Sequence, residues 1–437
     1  MRFFDALILI FCSLLSFIPR ISHQYSKYVS IEQFDSIFNF RCLNYIENNG
    51  LRNFFDWFDN QTWYPEGKFT GEQANSGLMV FTFLIKKFLE MIHIKIDTKT
   101  LCFMLAPFLS MLIPIYMYLF TKLMFSNRKA ALFSATFSAT NSAFYLNTHA
   151  GKYDNEILSI PLLLMCIYHF FKSIQTNSLS QILLCSLFYG FLSFTSGDCI
   201  YISYIFPLYI VCSIYFGYFS YNHYSAFSKF FILGLIFSFS NPHLNNSKAL
   251  FLTNFSFAIC IFVFLQVYML FRYLYHNTAY KTFNSILIFT LFISLLIIFV
   301  LFLMSQQLSS HYSLSISLFT GRYLYIVLPF LKAFDFKVIL SVSEQNPSVW
   351  ASFWYCFGPI LLLFPLGVKI IQNKMNSHVL FMNLFSISTL YLSAMMNRNL
   401  KLFVFPLIPI SSIAVDSFLR NSEAKMNKNM CSSMIHF

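Results

Sequence analysis

Long apolar runs constrain the fold of this chain more than any other feature of its sequence. Runs of about 17 to 25 residues, long enough to cross a bilayer, recur from the first residues to residue 419. Only 11% of the 437 residues are charged, whereas soluble domains carry about 25% charged residues. The sequence therefore excludes a water-soluble fold and predicts an all-α, polytopic integral membrane protein.

We predict about twelve transmembrane helices, separated by short polar interruptions. Their predicted bounds are 3–19, 101–121, 130–147, 156–173, 180–196, 200–217, 228–240, 250–273, 283–305, 351–368, 379–396 and 402–419. Segment 77–91 is ambiguous, because Lys86 and Lys87 interrupt its apolar run. We interpret it as an amphipathic helix along the membrane surface, since a span would carry both lysines toward the bilayer core.

Short basic clusters alternate with the predicted spans and indicate an orientation. They are Arg2, Lys122/Arg128/Lys129, Lys172, Lys229, Arg272/Lys281, Lys369/Lys374 and Arg420/Lys425/Lys428. If 77–91 is not a span, all of these clusters fall on one side, which the positive-inside rule assigns to the cytosol. The opposite side receives a first loop at 20–100, a long loop at 306–350 and the turn at Arg398, and the tail 421–437 is cytosolic.

The basic residues and the cysteines indicate little chemistry of their own. The formal net charge of +12 comes from dispersed clusters and not from a continuous basic and aromatic surface, so we expect no nucleic-acid partner. The ten cysteines lie mostly inside apolar runs and form no CxxC pair. The sequence therefore indicates neither a disulfide framework nor a zinc site.

Carboxylates are scarce in the apolar part of the chain, and the predicted topology places five of them on the non-cytosolic side. They are Asp35, Asp154, Glu156, Asp198 and Glu344. Carboxylates are hard oxygen ligands suited to Mg²⁺ or Mn²⁺. Three of them also have a plainer interpretation, because Asp35 could be a solvated loop acid while Asp154 and Glu156 could cap a helix N-terminus.

Two later motifs leave alternatives open in the same way. Ser341-Val342-Ser343-Glu344 precedes the span at 351 and could only shape a turn ahead of that helix. Asn397-Arg398-Asn399, with Lys401, could anchor a helix at the interface by snorkelling side chains. It could equally bind a diphosphate, because a guanidinium fork matches phosphate geometry.

Aromatic residues are dense between Phe55 and Pro65, and we interpret this stretch as a helix lying at the membrane interface. The stretch contains Asn60-Gln61-Thr62, an N-glycosylation sequon on the predicted non-cytosolic side.

These motifs, taken in order, resemble the catalytic subunit of eukaryotic oligosaccharyltransferase. Trp57-Phe58-Asp59 to Trp63-Tyr64-Pro65 resembles the family's Trp-Phe-Asp-x-x-x-Trp-Tyr-Pro, and Phe34-Asp35 resembles part of its first acidic motif. Ala150 to Glu156 resembles Ala-Gly-Ser-Tyr-Asp-Asn-Glu. Thr320-Gly321-Arg322 resembles Thr-Gly-Arg, and Ser341, Val342, Ser343 and Glu344 repeat its Ser-Val-Ser-Glu.

The resemblance implies a GT-C-type glycosyltransferase membrane domain over residues 1–420, in the endoplasmic reticulum membrane, with a lumenal active site. Its implied substrates are a dolichyl-diphosphate oligosaccharide and an Asn-x-Ser/Thr polypeptide, and its implied partners are other oligosaccharyltransferase subunits. The implied site residues are Asp35, Asp154 and Glu156 as ligands of Mn²⁺ or Mg²⁺, Asp35 and Glu344 on the acceptor carboxamide, and Arg398 on the lipid diphosphate.

The sequence also departs from the family pattern. Gln33 replaces an acid, Asn147 stands where the family has an arginine, and Thr195-Ser196-Gly197-Asp198 replaces Trp-Gly-Gly-Tyr. We expect the family's C-terminal lumenal domain, with Trp-Trp-Asp-Tyr-Gly, to be absent. A non-catalytic relic that scaffolds partner subunits therefore remains an alternative. Another lipid-linked sugar transferase or a transporter is a further alternative. The predicted topology places no acid near mid-membrane, which argues against a transporter.

Overall fold

A computed structural model describes residues 3–22, 30–31, 34–62, 64–241, 248–274, 293 and 346–435. The predicted span 283–305, the Thr-Gly-Arg motif and the Ser-Val-Ser-Glu motif with Glu344 lie outside these residues. The described part is mostly helical, as predicted, with one two-stranded antiparallel hairpin in addition.

The described helices follow one another with short connections. They are α1 (Phe3–Ser22), α2 (Phe34–Phe55), α3 (Thr70–Gln73), α4 (Gly77–Met91), α5 (Thr98–Ser110), α6 (Leu112–Phe125), α7 (Arg128–Thr140), α8 (Ser142–Thr148), α9 (Glu156–Thr176), α10 (Leu179–Thr195), α11 (Cys199–Tyr215), α12 (Tyr221–Phe239), α13 (Lys248–Leu274), α14 (Trp350–Phe357), α15 (Ile360–Gln372), α16 (Ser377–Met395) and α17 (Leu400–Ile435), with a 3₁₀ turn at Asn397–Asn399. Strands β1 (Phe58–Asp59) and β2 (Lys68–Phe69) form the hairpin.

Every predicted span outside 283–305 coincides with one of these helices or with two consecutive ones. Among the described residues, five helices are long and apolar enough to cross a membrane, or six if one bent pair counts as a single span. The predicted number of about twelve is therefore not confirmed, because several helices are shorter than a bilayer requires. Lys229, predicted in a loop, lies inside α12, which begins seven residues earlier than the predicted span.

The bent pair is α14 and α15, which meet at 87°. Gly358 ends α14 in a conformation with φ +58° and ψ −148°, which only glycine adopts readily. Pro359 follows and has no backbone N–H to continue the helix. The Gly-Pro pair therefore explains why the predicted span 351–368 is broken.

The chain divides into two compact units. Unit 1 comprises Met1–Phe40, Ile94–Leu164 and Ser343–Phe437, and unit 2 comprises Arg41–His93 and Met165–Val342. In unit 1, alanines of α7 pack against α1 and α6 in a buried cluster with Cys12 and Tyr118. Small residues at such contacts let helix backbones approach closely.

In the same unit, Gly367 of α15 lies against α17. A Cβ atom at this position would lie 2.2 Å from the backbone oxygen of Ile410. We therefore expect Gly367→Leu to force the two helices apart and destabilise the protein by about 1 to 3 kcal/mol. Thermal unfolding in detergent measures the effect. Gly197→Leu is the matched control, because its Cβ would meet nothing closer than 3.9 Å, and equal losses in both variants would contradict the close packing.

In unit 2, the aromatic stretch from Phe55 to Pro65 does not form the predicted helix. The helix α2 ends at Phe55, and the chain continues into the β1–β2 hairpin, so a helix over this stretch is wrong. The cause is a set of contacts made by Asp59, whose carboxylate accepts from Arg41 Nη2 at 2.8 Å and from the Gln61 N–H at 3.0 Å. The Trp57 ring stacks on Tyr45 at 4.0 Å instead of lying on a helix face.

Segment 77–91 is a helix, α4, with the predicted bounds. Lys86 pairs with Glu47 and Lys87 with Glu90, each at 2.9 Å, so both lysines are held by carboxylates in this unit. The orientation of α4 along the membrane surface stays a prediction.

Candidate active site

The candidate site is built around the loop between α8 and α9, residues 149–155, which three helices of unit 1 hold in place. Arg20 lies at the end of α1, and its Nε donates to Thr148 Oγ1 at 2.7 Å. The backbone carbonyl of Arg20 accepts from the Ala150 N–H at 3.0 Å. The Gly151 N–H donates to the Phe103 carbonyl of α5 at 3.2 Å. Gly151 has φ +84°, which explains a glycine at this point of the motif.

The first turns of α2 bind the same loop. Ser36 Oγ accepts from the Tyr153 N–H at 3.0 Å, and Asn39 Nδ2 donates to the Tyr153 carbonyl at 3.1 Å. Tyr153 itself is fully buried. Because Asp35 precedes Ser36 and Asp154 follows Tyr153, these two hydrogen bonds bring both acids to the same region.

Asp154 lies where several negative charges meet. Burial raises the pKa of its carboxyl, the Glu156 carboxylate raises it further, and Asp35 adds to the same effect. One carboxylate oxygen accepts from the Asn155 N–H at 2.6 Å. A carboxyl with neighbouring like charges is a site that gains from a bound cation.

Glu156 begins α9, and its buried carboxylate is held by two buried lysines. Lys401 Nζ, from α17, donates to Oε1 at 2.9 Å. Lys152 Nζ donates to Oε2 at 3.4 Å. Both ammonium groups are in a region from which water is largely excluded, since Lys152, Glu156 and Lys401 are each less than 10% exposed.

Arg398 lies in the 3₁₀ turn before α17, exposed, and close enough to Glu156 to interact with its charge. The segment that follows the Ser-Val-Ser-Glu motif is bound beside this turn. The Asn346 carbonyl accepts from the Asn397 N–H at 3.0 Å, and Ser348 Oγ donates to the Ser393 carbonyl at 2.6 Å. The motif's downstream flank therefore lies next to the predicted diphosphate-binding arginine.

The structure thus brings together Asp35, Asp154, Glu156 and Arg398, and adds Lys152 and Lys401 to them. Among the residues that the structure describes, no three metal-ligating side chains are already arranged around one point. In the same described part, however, Asn155 Oδ1 is buried and accepts no hydrogen bond. Asn155 lies between Asp154 and Glu156 in the sequence, and an amide oxygen together with carboxylates is a donor set that fits a hard divalent cation.

Sequence reasoning missed the two lysines on Glu156. Lys152 is four residues before Glu156, the spacing of a local ion pair, so the sequence did contain a signal for this contact. Lys401 is separated from Glu156 by 245 residues, and no local pattern could have paired them. Lys401 belongs to a motif that we expect either to snorkel at the interface or to bind a diphosphate, but its side chain is buried against Glu156.

The fold and the site together define a polytopic membrane protein whose acidic and basic groups meet at the ends of apolar helices. The family described as "Oligosaccharyl transferase STT3, N-terminal" matches residues 4–412. The chain belongs to this family.

One curated relative is the dolichyl-diphosphooligosaccharide–protein glycosyltransferase subunit STT3B of Arabidopsis thaliana. It is 27% identical over 414 residues, which are 93% of this chain and 55% of the relative. The chain thus spans about half the length of the curated relatives it matches.

Two solved structures of the Archaeoglobus fulgidus oligosaccharyltransferase AglB have a similar fold. One, in complex with an inhibitory peptide and a dolichol-phosphate, matches with a TM-score of 0.71 and 15% identity over 98% of this chain and 52% of that one. The other, in complex with zinc and sulfate, matches with a TM-score of 0.67 and 13% identity over 98% of this chain and 51% of that one.

Proposed function

We propose that this chain catalyses the transfer of a preassembled oligosaccharide from dolichyl diphosphate to the asparagine side chain of nascent proteins, in the lumen of the endoplasmic reticulum. The observation that carries the proposal is the meeting of Asp35 and Asp154 through the Tyr153 backbone, in a chain of the oligosaccharyl transferase family. Its substrates would be the lipid-linked oligosaccharide and an Asn-x-Ser/Thr polypeptide, with other subunits of the transferase as partners.

We assign Asp35, Asp154 and Glu156 as ligands of Mn²⁺ or Mg²⁺, with the side-chain oxygen Oδ1 of Asn155 as a further donor. An archaeal oligosaccharyltransferase of similar fold was solved in complex with zinc and sulfate, which supports a divalent cation as a ligand of such proteins. When bound, the cation supplies positive charge that stabilises the departing diphosphate. Each Glu156 oxygen already contacts a lysine, so a cation bound by Glu156 would share an oxygen with a lysine or replace it.

Asp35 and Glu344 have the second role, toward the acceptor asparagine. An amide nitrogen is a poor nucleophile because its lone pair is delocalised into the carbonyl. Carboxylates that accept both N–H groups of the carboxamide favour a twisted amide whose lone pair is available. Asp35 is exposed at the start of α2, where a substrate can reach it, and Asn346, two residues after Glu344, is bound beside the Arg398 turn.

Arg398 is assigned to the lipid diphosphate. It is exposed, follows the end of α16 and lies near the carboxylate cluster, so its guanidinium can pair with phosphate oxygens in a bidentate manner. Displacement of the diphosphate from the anomeric carbon by the amide nitrogen inverts that carbon. The proton lost from nitrogen passes to one of the two carboxylates.

One observation favours a second candidate, the non-catalytic scaffold. Both oxygens of Glu156 already accept from lysines, which is what a purely structural ion-pair network would show.

The assay is glycopeptide formation in membranes from cells expressing the chain, with a lipid-linked oligosaccharide, Mn²⁺ and a fluorescent Asn-x-Thr peptide. We expect transfer that fails with Gln-x-Thr and with EDTA. Arg398→Ala should lower the rate at least about tenfold, because a charge-assisted contact to the leaving group is lost. Lys374→Ala, an exposed cation elsewhere in unit 1, is the control. Absence of transfer above background membranes would support the scaffold instead.

A further inference from the structure

Lys152 contacts two hydrogen-bond acceptors in addition to Glu156. Its Nζ donates to Asn147 Oδ1 at 2.8 Å and lies 3.5 Å from the Leu146 carbonyl. The contact with Glu156 Oε2 is longer, at 3.4 Å. Lys152 therefore keeps a good hydrogen bond if it gives up Glu156.

Lys401 differs from Lys152 in this respect. Its Nζ to Oε1 distance of 2.9 Å is that of a strong charge-assisted hydrogen bond, and the residue is 5% exposed. It reaches Glu156 from α17, a different part of the chain. The two lysines thus bind the same carboxylate with unequal strength, and Lys152 is the one that can leave.

The release of Lys152 from Glu156 would matter for cation binding, because both positive charges use the same carboxylate. A divalent cation and an ammonium group compete for the same carboxylate oxygen when both cannot be accommodated. Buried charges interact more strongly than exposed ones, since water does not screen them, and Lys152 is buried.

We propose that Lys152 is an internal competitor of the divalent cation: it contacts both Asn147 and Glu156 Oε2 in the cation-free protein, and it gives up Glu156 and keeps Asn147 when the cation takes that oxygen. The inference rests on the proposed function only in assigning the cation to this cluster. Lys152 is therefore a positioning residue that sets the cation affinity, while Lys401 holds Glu156 in both states.

The test is Mn²⁺ binding to the full chain in nanodiscs, measured from the free Mn²⁺ signal by electron paramagnetic resonance. Lys152→Met removes the competitor, so we expect Mn²⁺ to bind about tenfold more tightly. Asp154→Asn should abolish the same binding step and so identifies the site. Lys99→Met, an exposed lysine of unit 1, should leave the affinity unchanged.

A second variant moves the competing ammonium group to another residue without removing it. Because Lys152 Nζ contacts the Asn147 side chain, Asn147→Lys combined with Lys152→Ser returns an ammonium group to the same place. We expect its Mn²⁺ affinity to be close to that of the unmodified chain, and size-exclusion profiles to show that each variant is folded.

Mn²⁺ affinity that is unchanged or weaker in Lys152→Met would overturn the competition. So would the absence of any Asp154-dependent Mn²⁺ binding. A chain that binds Mn²⁺ as expected and yet transfers no glycan contradicts the proposed function alone.

Discussion

Asp154→Asn is expected to lower glycopeptide formation at least about 100-fold, because in the proposed site it removes a charged ligand of the cation. Asparagine has almost the same shape and can still accept the Asn155 N–H, so the loop should keep its conformation. The expected loss is in the rate constant of transfer at saturating peptide, since the acceptor still binds through Asp35 and Glu344 in the proposed arrangement. Initial rates over a range of peptide concentrations measure it.

Asp97→Asn is the matched control for this variant. Asp97 precedes α5 in the same unit, is exposed, and can be replaced by asparagine without loss of a capping residue type. Rates within about twofold of the unmodified chain are expected for the control. If Asp154→Asn also retains its rate, the carboxylate cluster does not carry the reaction.

Glu156→Ala is expected to destabilise the protein by about 3 to 5 kcal/mol, the largest stability effect of any single change considered. The substitution leaves the ammonium groups of Lys152 and Lys401 buried without the carboxylate that both contact. Glu156→Gln should cost less, because the amide oxygen still accepts a hydrogen bond although the negative charge is gone. Thermal unfolding of the purified chain in detergent compares the two variants.

The compensating variant separates lost charge from lost packing. Glu156→Gln with Lys152→Met removes one charge of each sign and should recover part of the stability that Glu156→Gln loses. A Glu156→Ala protein that unfolds at the same temperature as the unmodified chain would show that these ion pairs contribute nothing to the fold.

The helices were largely predictable from the sequence because their signal is local. Apolar length placed α1, α9 and α16 within a few residues of their ends, and α4 has the predicted bounds. The number of membrane-crossing helices was not predictable in the same way, because apolar length alone does not show that a run such as 351–368 bends by 87° at its Gly-Pro pair.

Contacts between distant parts of the chain were beyond sequence reasoning. The hairpin after α2 is held by the pairing of Arg41 with Asp59, 18 residues apart, whereas we had only the expected place of aromatic residues at a membrane interface as a guide. The scarcity of acids did indicate that Asp35 and Asp154 belong together, but only the Tyr153 hydrogen bonds show how they meet. Whether they bind one cation stays a prediction.

A cryo-electron microscopy structure of the chain, determined once with Mn²⁺ and once with EDTA, would show directly whether Asp35 and Asp154 bind one cation. We expect a peak in the Mn²⁺ map that contacts Asp35 and Asp154 together, with about 2.0 to 2.6 Å between the cation and each oxygen, and no such peak with EDTA. Carboxylates of Asp35 and Asp154 more than about 10 Å apart, or a cation bound elsewhere, would contradict it, because one ion cannot contact both groups across that distance.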